Sequence, residues 1–204
     1  MSSYAILVDG GFIKRKLGSA RAPMTAENFE AFIDRLRAEP CLQGLRLHRI
    51  YFYDAVPFEG EAKKPLNGGK VNFGASPIVA RSKRLHVDLV RVPYVALRMG
   101  ELGFRGWQLK TMPLPEEQDT VEITAADLVP VIQQKGVDMR LGLDIAALTL
   151  KDQVKVIVLV AGDSDFVPAM KFARREGAQL FLAPLGHGIK EPMREHADLV
   201  LEIT

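Results

Sequence analysis

Lys155-Val-Ile-Val-Leu-Val-Ala-Gly162-Asp163-Ser164-Asp165-Phe166 is the stretch that decides the fold. An apolar, largely β-branched run stops at Gly-Asp-Ser-Asp. A helical spacing of apolar residues then begins at once, at Phe166, Ala169, Met170, Phe172 and Ala173. A strand buried on both faces of a parallel sheet hands acidic side chains to the sheet edge in this way. The N-terminal stretch Tyr4-Ala-Ile-Leu-Val-Asp9-Gly10-Gly11 does the same, so strands from opposite ends of the chain both finish in Asp. Open α/β sheets bind ligands beyond the carboxyl ends of their strands. If these two strands are central neighbours, Asp9 and Asp163 share one rim.

Gathered carboxylates have a cost. At about 4 Å and an effective dielectric of about 20, each like-charged pair is unfavourable by roughly 4 kcal/mol, a large part of a domain's stability. A cation among them offsets it. Mg²⁺ takes oxygen ligands, using a few carboxylates while keeping waters and substrate phosphate oxygens in its shell. An acidic rim therefore points to metal-assisted phosphoryl chemistry.

The rest of the chain alternates strands and helices. Thr25 is placed to cap a helix with Phe29, Phe32, Ile33 and Leu36 on one face and Pro40 beyond its end. Leu47 to Tyr53 reads as a strand ending at Asp54. Residues 57–77, rich in Gly and Pro and carrying Lys63, Lys64 and Lys70, read as a long loop and a candidate flap over substrate. A helix is expected over 77–89. A hairpin is expected from 90–99 and 104–110, turning at Gly100-Glu-Leu-Gly103, followed by an exposed connection over 111–124 with Pro113 and Pro115. Val129 to Lys135 reads as extended, and Gly136-Val137-Asp138 opens a helix to about Lys151, with Asp138 as its cap. After the 156–161 strand and a helix over 166–176, strands at 179–184 and 199–203 complete the pattern. The expectation is one domain over 1–204, a Rossmann-like doubly wound α/β sheet with an insertion around 57–124.

Composition excludes several classes. The 204 residues, 48% hydrophobic and 25% charged, suit a single soluble globular domain. Cys41 is the one cysteine, so neither an intrachain disulfide nor a zinc site with two Cys ligands can form, and a reducing cytoplasm is the expected location. The chain shows neither a signal-peptide pattern nor an apolar run of membrane-spanning length. The net charge of +2 identifies no polyanion partner by itself. Lys14, Arg15, Lys16 and Arg21 after the first acidic motif, and the basic residues of the middle segment, suit a polyanion whose phosphate meets a metal; solvated surface charge explains each of them equally well.

Each acidic group has a plain structural reading beside the functional one. Ser164 or Asp165 can cap the helix that follows with Asp163 as a turn residue, yet Asp-Ser-Asp is more than a cap requires. Asp9 before Gly10-Gly11 can be a turn. Asp144 lies about 120° around the helix from Asp138, which makes it a supporting group, and Asp54 is a weaker candidate. His48, His86, His187 and His196 lack metal-ligand spacing. Gly186-His-Gly188 falls short of a dinucleotide fingerprint, and neither a P-loop nor a nucleophile-elbow sequence is present.

Taken together, Val8-Asp9-Gly10-Gly11-Phe12, Gln134-Lys135-Gly136-Val137-Asp138, Leu143-Asp144, Ala161-Gly162-Asp163-Ser164-Asp165-Phe166 and Ala197-Asp198 resemble the ordered motifs of NYN-domain proteins, PIN-like nucleases that include the LabA-like group. The resemblance spans nearly the whole chain. It implies a three-layer α/β/α fold with a mainly parallel sheet, and an Mg²⁺- or Mn²⁺-dependent site that hydrolyses RNA. By that resemblance Asp9, Asp138, Asp163 and Asp165 are the metal-binding and catalytic residues, with Gly10, Gly11, Lys135, Asp144, Gly162 and Ser164 supporting them or touching substrate. Many relatives carry Asp-Gly-x-Asn where this chain has Phe12. The expected partner is RNA, single-stranded, with no membrane; a homo-oligomer is compatible. The alternatives are a non-catalytic RNA-binding or regulatory module and a metal-dependent phosphatase.

Overall fold

The computed structural model describes residues 2–111, 116, 117 and 119–203. In chain order the elements are β1 (Ser3–Asp9), α1 (Gly10–Lys16), α2 (Ala26–Arg37), β2 (Arg46–Val56), β3 (Glu61–Lys63), β4 (Lys70–Asn72) and α3 (Pro77–Leu89). There follow β5 (Val95–Leu109), β6 (Leu128–Lys135), α4 (Val137–Leu150), β7 (Val156–Val160), α5 (Val167–Arg175), β8 (Gln179–Leu182), α6 (Glu191–Glu195) and β9 (Leu199–Val200).

The main sheet runs β6-β5-β2-β1-β7-β8-β9. Every neighbouring pair is parallel except β5 with β6. Strand order departs in opposite directions from β1 and β7, which makes the gap beyond their carboxyl ends the switch point of a doubly wound sheet. Period-2 alternation divides β1 between two cores. Tyr4, Ile6 and Val8 pack with α1, α2 and α3, while Ala5 and Leu7 pack with α4, α5 and α6. The result is the expected three-layer α/β/α sandwich. All of Val156–Val160 is buried, as a central parallel strand requires. Thr25 caps α2 in a reciprocal box, its Oγ1 accepting the Asn28 amide at 3.2 Å while Asn28 Oδ1 accepts the Thr25 amide at 3.2 Å.

Four expectations are corrected. The hairpin expected within 90–110 is one continuous strand, β5, and its antiparallel partner is β6. Gly100 marks close packing, since a Cβ there would lie 2.5 Å from the Lys135 carbonyl oxygen and 2.6 Å from Val137 Cγ2. Between Phe104 and Gly106 the pairing shifts by one residue, leaving Arg105 extra, and Gly106 takes φ +119°. The loop at 57–77 contains a small antiparallel hairpin, β3 with β4. The Gly10-Gly11 turn is the start of helix α1. Of the strand expected over 199–203, only Leu199 and Val200 pair with β8. Pro113 and Pro115 of the expected connection lie outside the described residues.

The hairpin is not a free flap. Phe58, Phe73 and Phe104 cluster with centroids 5.4 to 6.2 Å apart, Trp107 adds an edge contact to Phe104 at 5.6 Å, and Trp107 Nε1 donates to the Lys63 carbonyl at 3.1 Å. This aromatic cluster fastens β3–β4 to the long β5–β6 extension. No helix among the described residues is long and apolar enough to cross a membrane.

Candidate functional site

Asp9 ends β1 and caps α1, its Oδ1 accepting the Phe12 amide at 3.1 Å. The helix can start this close to the sheet because residue 10 is glycine: a Cβ there would stand 2.5 Å from the Tyr53 carbonyl oxygen and 2.9 Å from Phe52 Cε1. Gly11 lies against the same carboxylate, with a Cβ position 3.3 Å from Asp9 Oδ1. Burial pushes the Asp9 carboxyl above its ordinary range and the charge of Asp138 adds to that, outweighing the Phe12 and Gly11 amides and the charge of Arg15.

On the neighbouring strand, β7 gives way to Gly162 and Asp163. Asp163 Oδ1 accepts the Asp165 amide at 3.0 Å and starts a 3-10 turn, Ser164–Phe166, that leads into α5. The cap is thus Asp163, where the sequence left Ser164 or Asp165 open for that role. Gly162 admits two rings, since a Cβ would lie 2.6 Å from His187 Cδ2 and 2.7 Å from Phe12 Cε2. Phe12 is 4% exposed and meets His187 edge-on at 5.8 Å. The residue that departs from the family pattern is therefore part of the core.

Asp138 sits in the first turn of α4, whose N-cap is Gly136 at φ +74° in place of the expected Asp138 cap. Partial burial raises its carboxyl, and the charges of Asp163 and Asp165 raise it further. Asp138 is thus in electrostatic reach of Asp9 and of Asp163 and Asp165. Among the described residues none of the four forms an ion pair within 4.0 Å. Lys190, just before α6, brings a cation to this rim by donating to Ser164 Oγ at 3.1 Å. Sequence reasoning missed it; its only signal was position, shortly after the β8 end. Lys135 is exposed at the end of β6, aligned with Glu101.

Three other acids stand elsewhere. Asp144 binds Tyr53 Oη at 2.9 Å and takes a bidentate pair from Arg98 at 2.8 and 2.9 Å, tying α4 to β2 and β5. Burial and the Asp144 charge hold the Tyr53 hydroxyl protonated far above its ordinary range. Asp54, 3% exposed, receives Lys14 and His86. Asp198 accepts from Arg174 Nε at 3.0 Å and from the Leu180 amide at 2.7 Å. These three carboxylates are engaged in joining elements. Of the loop lysines, Lys70 pairs with Glu61 and Lys64 lies over the Trp107 ring at 5.6 Å.

The donor set at the rim is oxygen only, which suits a hard ion that keeps much of its water and does not suit a zinc cage of nitrogen and sulfur. Among the described residues no group of three or more His, Cys, Asp or Glu side chains is placed to hold a metal ion. With the side chains as placed, an ion here would draw on at most two of the rim carboxylates and otherwise on solvent.

Among curated proteins nothing matches the chain. A crystal structure of a protein of unknown function from Vibrio parahaemolyticus matches with a TM-score of 0.54 at 14% identity, over 98% of this chain and 91% of that one, a likeness of fold. The family model of the NYN domain matches residues 5–203, nearly the whole length. The chain belongs to the NYN domain family, within the PIN-like superfamily.

Proposed function

We propose that the rim formed by Asp9, Asp138, Asp163 and Asp165 binds Mg²⁺ or Mn²⁺ and hydrolyses phosphodiester bonds of single-stranded RNA. The observation that carries this reading is the position of Asp138 in the combined field of Asp9, Asp163 and Asp165 without an ion pair among the described residues. NYN domains are generally nucleases, which supports the same chemistry.

A divalent ion bound here would acidify a water molecule and neutralise charge on the phosphate. The protein's share is positional. Asp9 and Asp163 are fixed by the amides they cap, so their oxygens need no reordering when a cation arrives. Asp165, whose carboxylate is exposed, orients the attacking water. Lys190 and Ser164 face the phosphate oxygens from the α6 side, and Ser164, bonded to Lys190 with no histidine base on it, is not a nucleophile. Water oxygen attacks phosphorus, the P–O ester bond breaks, and the departing oxygen leaves as an alcohol.

The test is an assay of purified protein on RNA, single-stranded DNA and a small phosphate ester, with and without Mg²⁺ or Mn²⁺. Metal-dependent cleavage of RNA, lost in Asp138→Asn, is the expected result. RNA bound and left intact would identify a binding module, and turnover of the ester alone a phosphatase; either overturns the reading.

A further inference from the structure

Helix α1 ends in three consecutive basic residues, and the structure gives them different surroundings. Lys14 is taken by the buried Asp54 carboxylate at 2.8 and 2.7 Å, and Lys16 lies over the Phe12 ring at 5.7 Å. Arg15 does neither. Residues 11 and 15 are one turn apart on the same helix face, and a long helical side chain runs back toward the amino end of its helix. The Arg15 guanidinium accordingly lies over Gly11. The point where a Cβ of residue 11 would sit is 3.6 Å from Arg15 Nη1 and 3.3 Å from Asp9 Oδ1. Its charge acts on the Asp9 carboxylate, yet among the described residues Arg15 forms no ion pair, and the residue is exposed. Lys190 is the other cation at the rim, bonded there to Ser164. It precedes α6, in the helical layer opposite α1, so the acidic rim has a cation on the side of each layer.

We propose that Arg15 contacts the substrate: its guanidinium binds a phosphate of the RNA strand at the Asp9 end of the rim. The inference rests on the nuclease reading of that rim and names the residue that lets a polyanion approach it. Four carboxylates repel a phosphate, and a fixed cation among them offsets the repulsion before and after a metal ion enters. A guanidinium suits the task because its planar fork meets two phosphate oxygens at once. Arg15 also has no ion pair among the described residues to give up when RNA arrives. The other task open to an arginine in this place is to brace Asp9, and the lack of an Arg15–Asp9 ion pair speaks against it. Asp9 is held instead by the Phe12 amide at 3.1 Å, which leaves the guanidinium to the substrate.

Equilibrium binding of a single-stranded RNA oligonucleotide to the full chain, in chelator and over a salt series that starts at low ionic strength, tests this. Arg15→Gln should weaken binding about 10-fold, the scale of one hydrogen bond to a charged group, and flatten the salt dependence by about 0.7 log units, one single-strand phosphate. Arg15→Lys keeps the charge and loses the fork, so it should hold the salt slope and lose only part of the affinity. Arg46→Gln removes the same charge at the start of β2, the opposite edge of the sheet, and should leave binding in place. Mn²⁺ titration without RNA separates contact from bracing: Arg15→Gln should bind Mn²⁺ at least as tightly as the wild type, because a cation beside Asp9 has been removed. Unchanged RNA affinity in Arg15→Gln overturns the proposal, as does a wild type that binds no RNA at the low-salt end. An equal loss in Arg46→Gln, or an Arg15→Lys no better than Arg15→Gln, does the same. Weaker Mn²⁺ binding in Arg15→Gln would make Arg15 a brace for Asp9 and also overturns it. A wild type that binds RNA through Arg15 and cleaves none overturns the nuclease reading alone, and RNA cleaved equally well by Arg15→Gln overturns this inference alone.

Discussion

Lys14 crosses from α1 to the end of β2 and sets its Nζ 2.8 and 2.7 Å from the two carboxylate oxygens of Asp54. With His86 Nε2 also 2.8 Å from Oδ2, a carboxylate that is 3% exposed is matched by its own neighbours. The pairing removes Asp54 from the metal question and Lys14 from the pool of cations free to meet a phosphate. Asp54→Asn should cost about 3 kcal/mol of stability, the lower end for breaking a buried pair, because Lys14 keeps a third of its side chain in water. Urea unfolding measures it.

The same carboxylate sets a pH dependence. Burial would raise the Asp54 carboxyl, but the His86 hydrogen bond and the Lys14 charge together hold it below its ordinary value. A depressed folded value means stability that is present above the unfolded value and is lost as pH falls through the folded one. The wild-type protein should therefore lose stability below about pH 4 more steeply than Asp54→Asn, in melts recorded across that window.

Asp138 has the opposite sign. Its carboxyl is raised by burial and by Asp163 and Asp165, so its contribution is favourable below the unfolded value and is lost as pH rises through the folded one. At neutral pH without metal, Asp138→Asn should stabilise the protein. The gain should stay under about 1 kcal/mol, since much of the side chain faces solvent and the repulsion is screened. Cleavage of RNA should disappear in the same variant. Thermal melts in chelator, paired with the nuclease assay, measure both; a clear loss of apo stability would count against the repulsive cluster.

Gly10→Ala tests how the site is held to the sheet. The added methyl would meet the Tyr53 carbonyl oxygen at 2.5 Å, and backbone does not yield as a side chain tip would. A cost of about 2 kcal/mol is expected, within the range for overpacking a close-packed contact, together with weaker metal binding as Asp9 is pushed off its position. Denaturant melts and metal titration follow the two effects.

Polynucleotide reach depends on which lysines are free. Lys63 and Lys64 replaced by Gln should flatten the salt dependence of RNA binding by about 0.7 log units for each phosphate that the chain no longer neutralises. Lys70→Gln should change it less, because Glu61 already answers that charge. Binding measured over a salt series decides, and an unchanged slope in the double variant would place the RNA elsewhere.

The sheet's acidic rim is legible in the sequence because a parallel strand buried on both faces has a plain signature: Val156 to Ala161 and Ala5 to Val8 are apolar throughout, and the first acid after each run marks the edge. The family motifs supply the link from Lys135-Gly136 to Asp138. Glycines are the main source of error. Gly10 and Gly100 read as turn formers, whereas both sit where another backbone approaches too closely for a Cβ; a single sequence shows the missing side chain and not which of these two reasons accounts for it. Asp54 and Asp144 have the same composition signal as Asp9, and only their cationic partners, 32 to 46 residues away in sequence, show that they hold elements together.

The extra residue in β5 has a bearing on the chemistry. On the side nearest α4, Glu101 is aligned with Lys135, and beyond Arg105 the alignment is offset by one. A strand slip of one residue moves a chain by about 3.3 Å and turns each side chain to the other face. Without the bulge, whatever register the distal connection imposed would travel down β6 to Lys135, Gly136 and so to Asp138. The bulge acts as a vernier: length differences in the outer hairpin are taken up at Arg105, and the acidic rim keeps its spacing while the insertion is free to vary.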